Sequence, residues 1–257
     1  MRNLIRMDLY RIARTRRFWI CLIIAAVLAL IQSPFEVIMG RLGKMLSPDA
    51  PDVVATATWA EIFGNPFPFM NAMLVLLSVC AFFYEDVENG YIKNIAGQMP
   101  KKGYSILSKF VAVIPHNLVF VLVGILCNLI GTVICKQIVP GGDILDSLRI
   151  MVLRVILMTS ICAIMLFIVS TLQSKSFGTV LAVLFGMGLF APAFGGILDL
   201  GVDALIKDKG FSISSYMPDA QMGIPNPDTV TAIIVAAVTT GLFLWLAIRI
   251  FDRKDVK

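Results

Sequence analysis

The stretch Phe83–Phe110, FYEDVENGYIKNIAGQMPKKGYSILSKF, carries three acids and four lysines. Long apolar runs lie on both sides of it. Each is close to the roughly twenty residues that a helix needs to cross a hydrocarbon core. A dense polar stretch between two such runs reads as a loop joining two membrane spans. The same pattern continues outward in both directions. The 257 residues are 58% hydrophobic and only 15% charged, where a soluble domain carries roughly a quarter charged residues. The runs do not alternate as barrel strands would. The expected fold class is therefore all-α, a polytopic membrane protein.

Six apolar runs are legible, at about 18–39, 67–84, 111–135, 148–172, 177–198 and 229–250. They make one transmembrane domain over residues 1–257, since the longest polar stretches are too short for a core of their own. The core Phe18–Ile31 would suit a signal peptide, but Arg-rich sequence precedes it and no small-x-small site follows before Pro34. With the N-terminus inside, fifteen lysines and arginines fall on inner segments and six on outer ones. That bias expects both termini, and Phe83–Phe110, on the cytoplasmic side of the membrane. On the outer side, Asp199, Asp203 and Lys207 are spaced as one face of a short helix. That expects a small extracellular cap or a plain solvated loop helix.

Several function classes find no residues to carry them. The chain has no HExxH, no serine–histidine pairing at a glycine-rich elbow and no paired acids within a span. Its one histidine, His116, follows Pro115 near the start of the third run and reads as a helix-end polar residue rather than a proton relay. Five cysteines without a CxxC pair read as reduced, buried thiols. The net charge of +5 serves orientation, and no nucleic-acid partner is expected. Ionisable groups within the spans are few. Glu36 lies near the outer end of the first, and Arg154 lies about two turns into the fourth. Arg154 is expected to snorkel outward, to pair with Glu36 or Asp146, or to meet an anionic group in a cavity. No phosphate-binding loop is present. Gly43–Lys44 is followed by Met45, and Lys102–Gly103 has the wrong order. The chain is thus expected not to be an enzyme, with no cofactor or metal of its own.

The fifth run carries Gly178, Ala182 and Gly186 at intervals of four. Such a stripe lets helix backbones approach closely, either within one subunit or, together with Arg154, along a dimer or translocation seam. Pro192, Gly195 and Gly196 are expected to break the outer end of this run. In the opening stretch, Glu85, Asp86 and Glu88 precede Gly90, a turn residue. Ile92, Ile95 and Met99 then recur near helical spacing, as in a short amphipathic helix that ends at Pro100 and Lys101.

In that order of features the chain resembles the membrane subunit of ABC-2 type ATP-binding cassette transporters. The family places an acid–x–Gly–Thr pattern, a short helix, a proline and a basic residue between its second and third spans. Here the residues are Glu88–Asn89–Gly90–Tyr91, Ile92 to Met99, Pro100 and Lys109, with Tyr91 in place of the threonine. The N-terminal LIRMDLYRIARTRRFWI (Leu4 to Ile20) is similar to the family's interfacial elbow helix. The resemblance implies a permease in a bacterial cytoplasmic membrane, paired with a second copy or a paralogue. It also implies a separate cytoplasmic ATPase subunit that binds ATP and magnesium. Glu85, Asp86, Glu88, Gly90, Ile92, Ile95, Met99 and Lys101 would form the coupling segment that docks this ATPase. The small size is similar to exporters of peptides, including lantibiotic-immunity and modulin exporters, so the implied cargo is an amphipathic or hydrophobic peptide. The competing expectation is a non-transporting anchor or sensor whose loop docks a regulatory partner.

Overall fold

The computed structural model describes residues 2–46, 56–64, 67, 70–88, 103–135, 137–139, 143–172, 174–206 and 212–253. It is almost wholly helical. In chain order the elements are α1 (Arg2–Arg14), α2 (Arg16–Leu46), β1 (Thr56–Thr58), α3 (Trp59–Gly64), α4 (Asn71–Glu88), α5 (Gly103–Cys135) and β2 (Gln137–Val139). They continue with α6 (Ile144–Leu172), α7 (Lys175–Gly186), a π-turn (Ala191–Gly195), α8 (Gly196–Ile206), a 3-10 turn (Ser214–Tyr216), α9 (Pro218–Gly223) and α10 (Thr229–Arg253). The two short strands pair in parallel, Thr56 opposite Gln137.

Among the described residues four helices, α2, α5, α6 and α10, are long and apolar enough to cross a membrane. Two of the six expected spans take another form. The run 67–84 becomes the shorter helix α4, which starts only at Asn71 and continues to Glu88. The run 177–198 is not one straight span. Helix α7 ends at Gly186, and the chain then bends by 97° into the segment that opens at Ala191. The break lies ahead of Pro192, at Met187–Leu189, where Gly188 takes φ +67°, a conformation that only glycine adopts without strain. Pro192 sits near the start of the π-turn, where its missing N–H costs no helical bond. The Ala191 N–H donates to the Asp219 carboxylate at 2.6 Å, which ties the turn to α9. Burial pushes the Asp219 carboxyl above its ordinary pKa, and backbone N–H groups oppose that rise.

The remaining runs are extended at their ends. Helix α5 begins at Gly103, eight residues before the apolar run at 111. His116 therefore lies deep inside a helix and not at its end. Lys109, expected as a flanking cytoplasmic charge, is buried at 4% exposure, with its ammonium 4.9 Å from the Phe82 ring centroid. Protein contacts replace the water or lipid headgroups that a flanking charge would otherwise seek.

Helix α6 is the hub, with Leu157, Met158, Ile161, Cys162, Ala163 and Met165 wholly buried. It packs on α4, α5 and α10. Helix α2 packs on α5, and its opposite face leaves Ile20, Ile23, Val27, Ile31, Phe35 and Ile38 exposed, as a lipid-facing stripe is. A Cβ at Gly131 would strike the Leu30 carbonyl, so α2 and α5 touch backbone to backbone there. Such close approach is the main source of packing energy between helices that have lipid as the alternative.

Candidate functional site

Helix α1 lies against the start of α5. The Ser108 hydroxyl donates to the Asp8 carboxylate, and Asp8 also faces Arg11 at 3.9 Å. Thr15 separates α1 from α2, and the Trp19 indole N–H donates to the Ala13 carbonyl at 2.8 Å. The Gly103 N–H donates to Asp252 at 2.8 Å. The start of α5, the end of α10 and helix α1 thus share one end of the bundle. The end of α4 joins them through Arg17 and Glu85, 3.5 Å apart.

These contacts hold both ends of the segment 89–102. Gly90, Ile92, Ile95, Met99 and Lys101, and with them the expected short helix, lie outside the described residues. The acids before them form the last turn of α4. Carboxylates at a helix C-terminus oppose the macrodipole, by roughly 0.3–1 kcal/mol each. Glu85 is compensated by Arg17. Glu88 is exposed and forms no ion pair among the described residues. The structure therefore separates two acids that look alike in sequence: Glu85 braces the bundle internally, and Glu88 is presented outward.

The small-residue stripe faces α4. A Cβ at Gly178 would come within 2.8 Å of the Cys80 Sγ, and one at Gly186 would overlap the backbone of Met73. Ala182 between them is wholly buried. Arg154 is placed by other contacts, to the Gly64 and Ile224 carbonyls.

A buried polar chain crosses the interior. Ser78 Oγ and His116 Nε2 are hydrogen-bonded at 3.0 Å. His116 Nδ1 donates to Asn117 Oδ1 at 3.2 Å, and Asn117 Nδ2 donates to Thr159 Oγ1 at 3.3 Å. With the amide oriented so, the neutral imidazole accepts from Ser78. The chain links α4, α5 and α6, and the Phe18 and Phe120 rings pack against His116. No group of three metal-ligating residues occurs among the described residues.

At the end remote from α1 lies a cavity of about 570 Å³, walled by α2, α3, α5 and α6. Glu36, Glu61, Asp143, Asp146 and Arg154 line it. Its floor carries Ser33 and Thr132, hydrogen-bonded to each other at 2.9 Å, and Asn128. The Arg154 guanidinium donates to the carbonyls of Gly64 at 2.8 Å and Ile224 at 3.4 Å. It thus holds the C-terminal ends of α3 and α9 over α6, and Asp146 pairs with Arg149 at 2.8 Å. Hydrogen bonds to a charged group contribute roughly 1.5–3 kcal/mol. Arg154→Met is expected to lower the thermal unfolding midpoint by several degrees, and Arg154→Lys to recover part of it. An unchanged midpoint in Arg154→Met would show that the guanidinium holds nothing.

No catalytic or ligand-binding motif in the sequence marks this cavity. Its signal was present: Gln32, Ser33 and Glu36 on α2, and Asn128 and Thr132 on α5, are polar residues one turn apart inside apolar runs. Polar groups at such depth face protein or a cavity rather than lipid.

A family model described as ABC-2 family transporter protein matches residues 4–189. The match runs from α1 through α7 and ends at the bend. No curated protein matches the chain.

Proposed function

The chain belongs to the ABC-2 family of transporter proteins, as a permease component of an ABC transporter, and we propose that it exports amphipathic or hydrophobic peptides from a bacterial cell. An ATPase partner and a membrane follow from the family. The finer assignments, cargo and direction, are our own reading. In it, ATP and magnesium bind the separate ATPase subunit, this chain carries no catalysis, and two permease copies or paralogues act together. A peptide that partitions into the inner leaflet meets apolar helix surfaces such as that of α2, where Ile20, Ile23, Val27 and Ile31 are exposed.

The observation that carries the reading is the family match combined with the bracing of the residues that flank 89–102. A docking element transmits force only if its two ends are fixed to the spans that must move. Here Arg17–Glu85 and Gly103–Asp252 tie those ends to α2 and α10. The test is co-expression with its ABC ATPase subunit, reconstitution, and ATP-dependent loss of a labelled amphipathic peptide from the ATPase side. Peptide movement without ATP, or in the reverse direction, would refute export.

Orientation is tested separately. In a cysteine-free background, single cysteines at Lys102 and Lys257 are expected to label only after the membrane is opened. One at Lys207 is expected to label in intact cells. Labelling of Lys102 from outside would invert the topology.

A further inference from the structure

We propose that the outer face of α1 binds anionic phospholipid headgroups. By helical spacing Asn3, Arg6, Leu9, Tyr10, Ala13 and Arg14 share one face of α1, and all are exposed. Asp8 and Ile12 lie on the opposite face and are buried. Arg6, Tyr10 and Arg14 follow one another at intervals of four, and Arg16 continues the exposed charge into the start of α2. Arg6, Arg14 and Arg16 form no ion pair with any described residue. Acids at the same end of the bundle are taken up inside it: Asp8 by Ser108 and Arg11, Glu85 by Arg17, and Asp252 by the Gly103 N–H. Exposed Glu88 pairs with none of these arginines. The Arg14 guanidinium lies 5.0 Å from the Tyr10 ring centroid. Stacking engages the flat face of a guanidinium and leaves its N–H donors for phosphate oxygens.

The neighbouring surface says which anion covers this face. The Trp19 indole N–H donates to the Ala13 carbonyl, which brings the exposed Trp19 ring beside α1. Leu9, Ala13, Trp19 and Ile20 thus make an exposed apolar edge. That edge runs into Ile23, Val27 and Ile31, the exposed stripe of α2. Helix α2 is long and apolar enough to cross a membrane, so its stripe meets acyl chains, and the edge sits where those chains meet headgroups. Tryptophan favours that level. Arg6, Tyr10 and Arg14 occupy the other flank of the same face of α1. An apolar edge beside a basic flank is the pattern of a helix lying in the interface. A dissolved anion would leave the apolar edge without a partner, whereas a phosphate joined to acyl chains covers both. Asp8 holds Ser108 on α5, and Arg17 faces Glu85 on α4, so headgroup binding braces the two helices that flank 89–102. The inference needs neither an ATPase nor a cargo, so it stands or falls apart from the transport reading.

The experiment uses the full chain in phosphatidylcholine vesicles. Trp59→Phe and Trp245→Phe leave Trp19 as the one indole. Phosphatidylglycerol or phosphatidylcholine with brominated chains is mixed in at equal mole fraction, and quenching of Trp19 is read. Phosphatidylglycerol is expected to associate at least about fivefold more strongly, the factor that a single basic residue contributes at an anionic surface. Arg6→Gln, Arg14→Gln and Arg16→Gln together are expected to bring the ratio of the two lipids to one. Arg6→Lys, Arg14→Lys and Arg16→Lys together are expected to keep it. Lys136→Gln, Lys207→Gln and Lys209→Gln remove the same charge elsewhere and are expected to leave the ratio unchanged. In the unaltered chain, phosphatidylglycerol is expected to raise the unfolding midpoint above that in phosphatidylcholine, and about 1 M salt to abolish the difference by screening. Equal quenching by the two lipids, a ratio that survives the glutamine triple at 6, 14 and 16, or an equal loss in the remote lysine triple overturns the proposal. So does an unfolding midpoint indifferent to the headgroup.

Discussion

Gly186→Leu is expected to abolish accumulation of the folded chain in the membrane, while Leu184→Ala leaves a folded, active protein. Any Cβ at position 186 overlaps the backbone of Met73 on α4. A backbone cannot change rotamer to make room, so α7 and α4 must separate. Overpacking by a methylene or two costs roughly 1–3 kcal/mol, and a leucine wedge adds more because it prises apart the whole contact through Ala182 and Gly178. A loss of that size consumes much of the about 5–15 kcal/mol that holds a domain together. Leu184 is half-buried, and lipid chains fill part of the space its side chain leaves. Membrane fractions, size exclusion and thermal unfolding of both variants decide the matter. Equal behaviour of the two would mean that α7 and α4 do not touch as described.

Ile95→Asp is expected to abolish capture of the ATPase, and Glu88→Ala to weaken it by roughly 30-fold or more, with insertion and folding intact in both. Losing one partner of a desolvated charge contact at an interface costs on the order of 2–5 kcal/mol. The structure sharpens which acid carries this expectation. Glu85 is spent on Arg17, whereas Glu88 is exposed at the end of a braced helix. Glu85→Gln is therefore expected to act through stability, by no more than about 1 kcal/mol for so exposed a pair. If Glu88 only capped the following segment, Glu88→Ser would bind the ATPase like the parent. Pull-down and peptide export for Glu88→Ala, Glu88→Ser and Ile95→Asp separate these cases. Normal capture and export in all three would reduce the segment to a loop.

Composition and run length alone determined that this is a helical membrane protein, because crossing a hydrocarbon core leaves the backbone almost no other option. The order of polar and apolar stretches from Leu4 to Lys109 also carried the family resemblance, which the match over residues 4–189 places on firm ground. The pairing of particular polar groups was not legible. Nothing local distinguishes Glu85 from Glu88, or buries Lys109 and His116, because those outcomes depend on which helix lies alongside. The bend after Gly186 was legible only as a proline and glycines near one end. Its position was decided by where α7 meets Met73 and where Asp219 takes up the Ala191 N–H. The cavity around Asn128 is the extreme case. Its residues come from stretches about a hundred positions apart, each polar for no visible reason, and only the packing of α2 and α6 against α5 turns them into one site. Transfer into lipid is a property of each segment by itself, whereas hydrogen-bond partners and close backbone contacts are properties of pairs that only the folded chain creates.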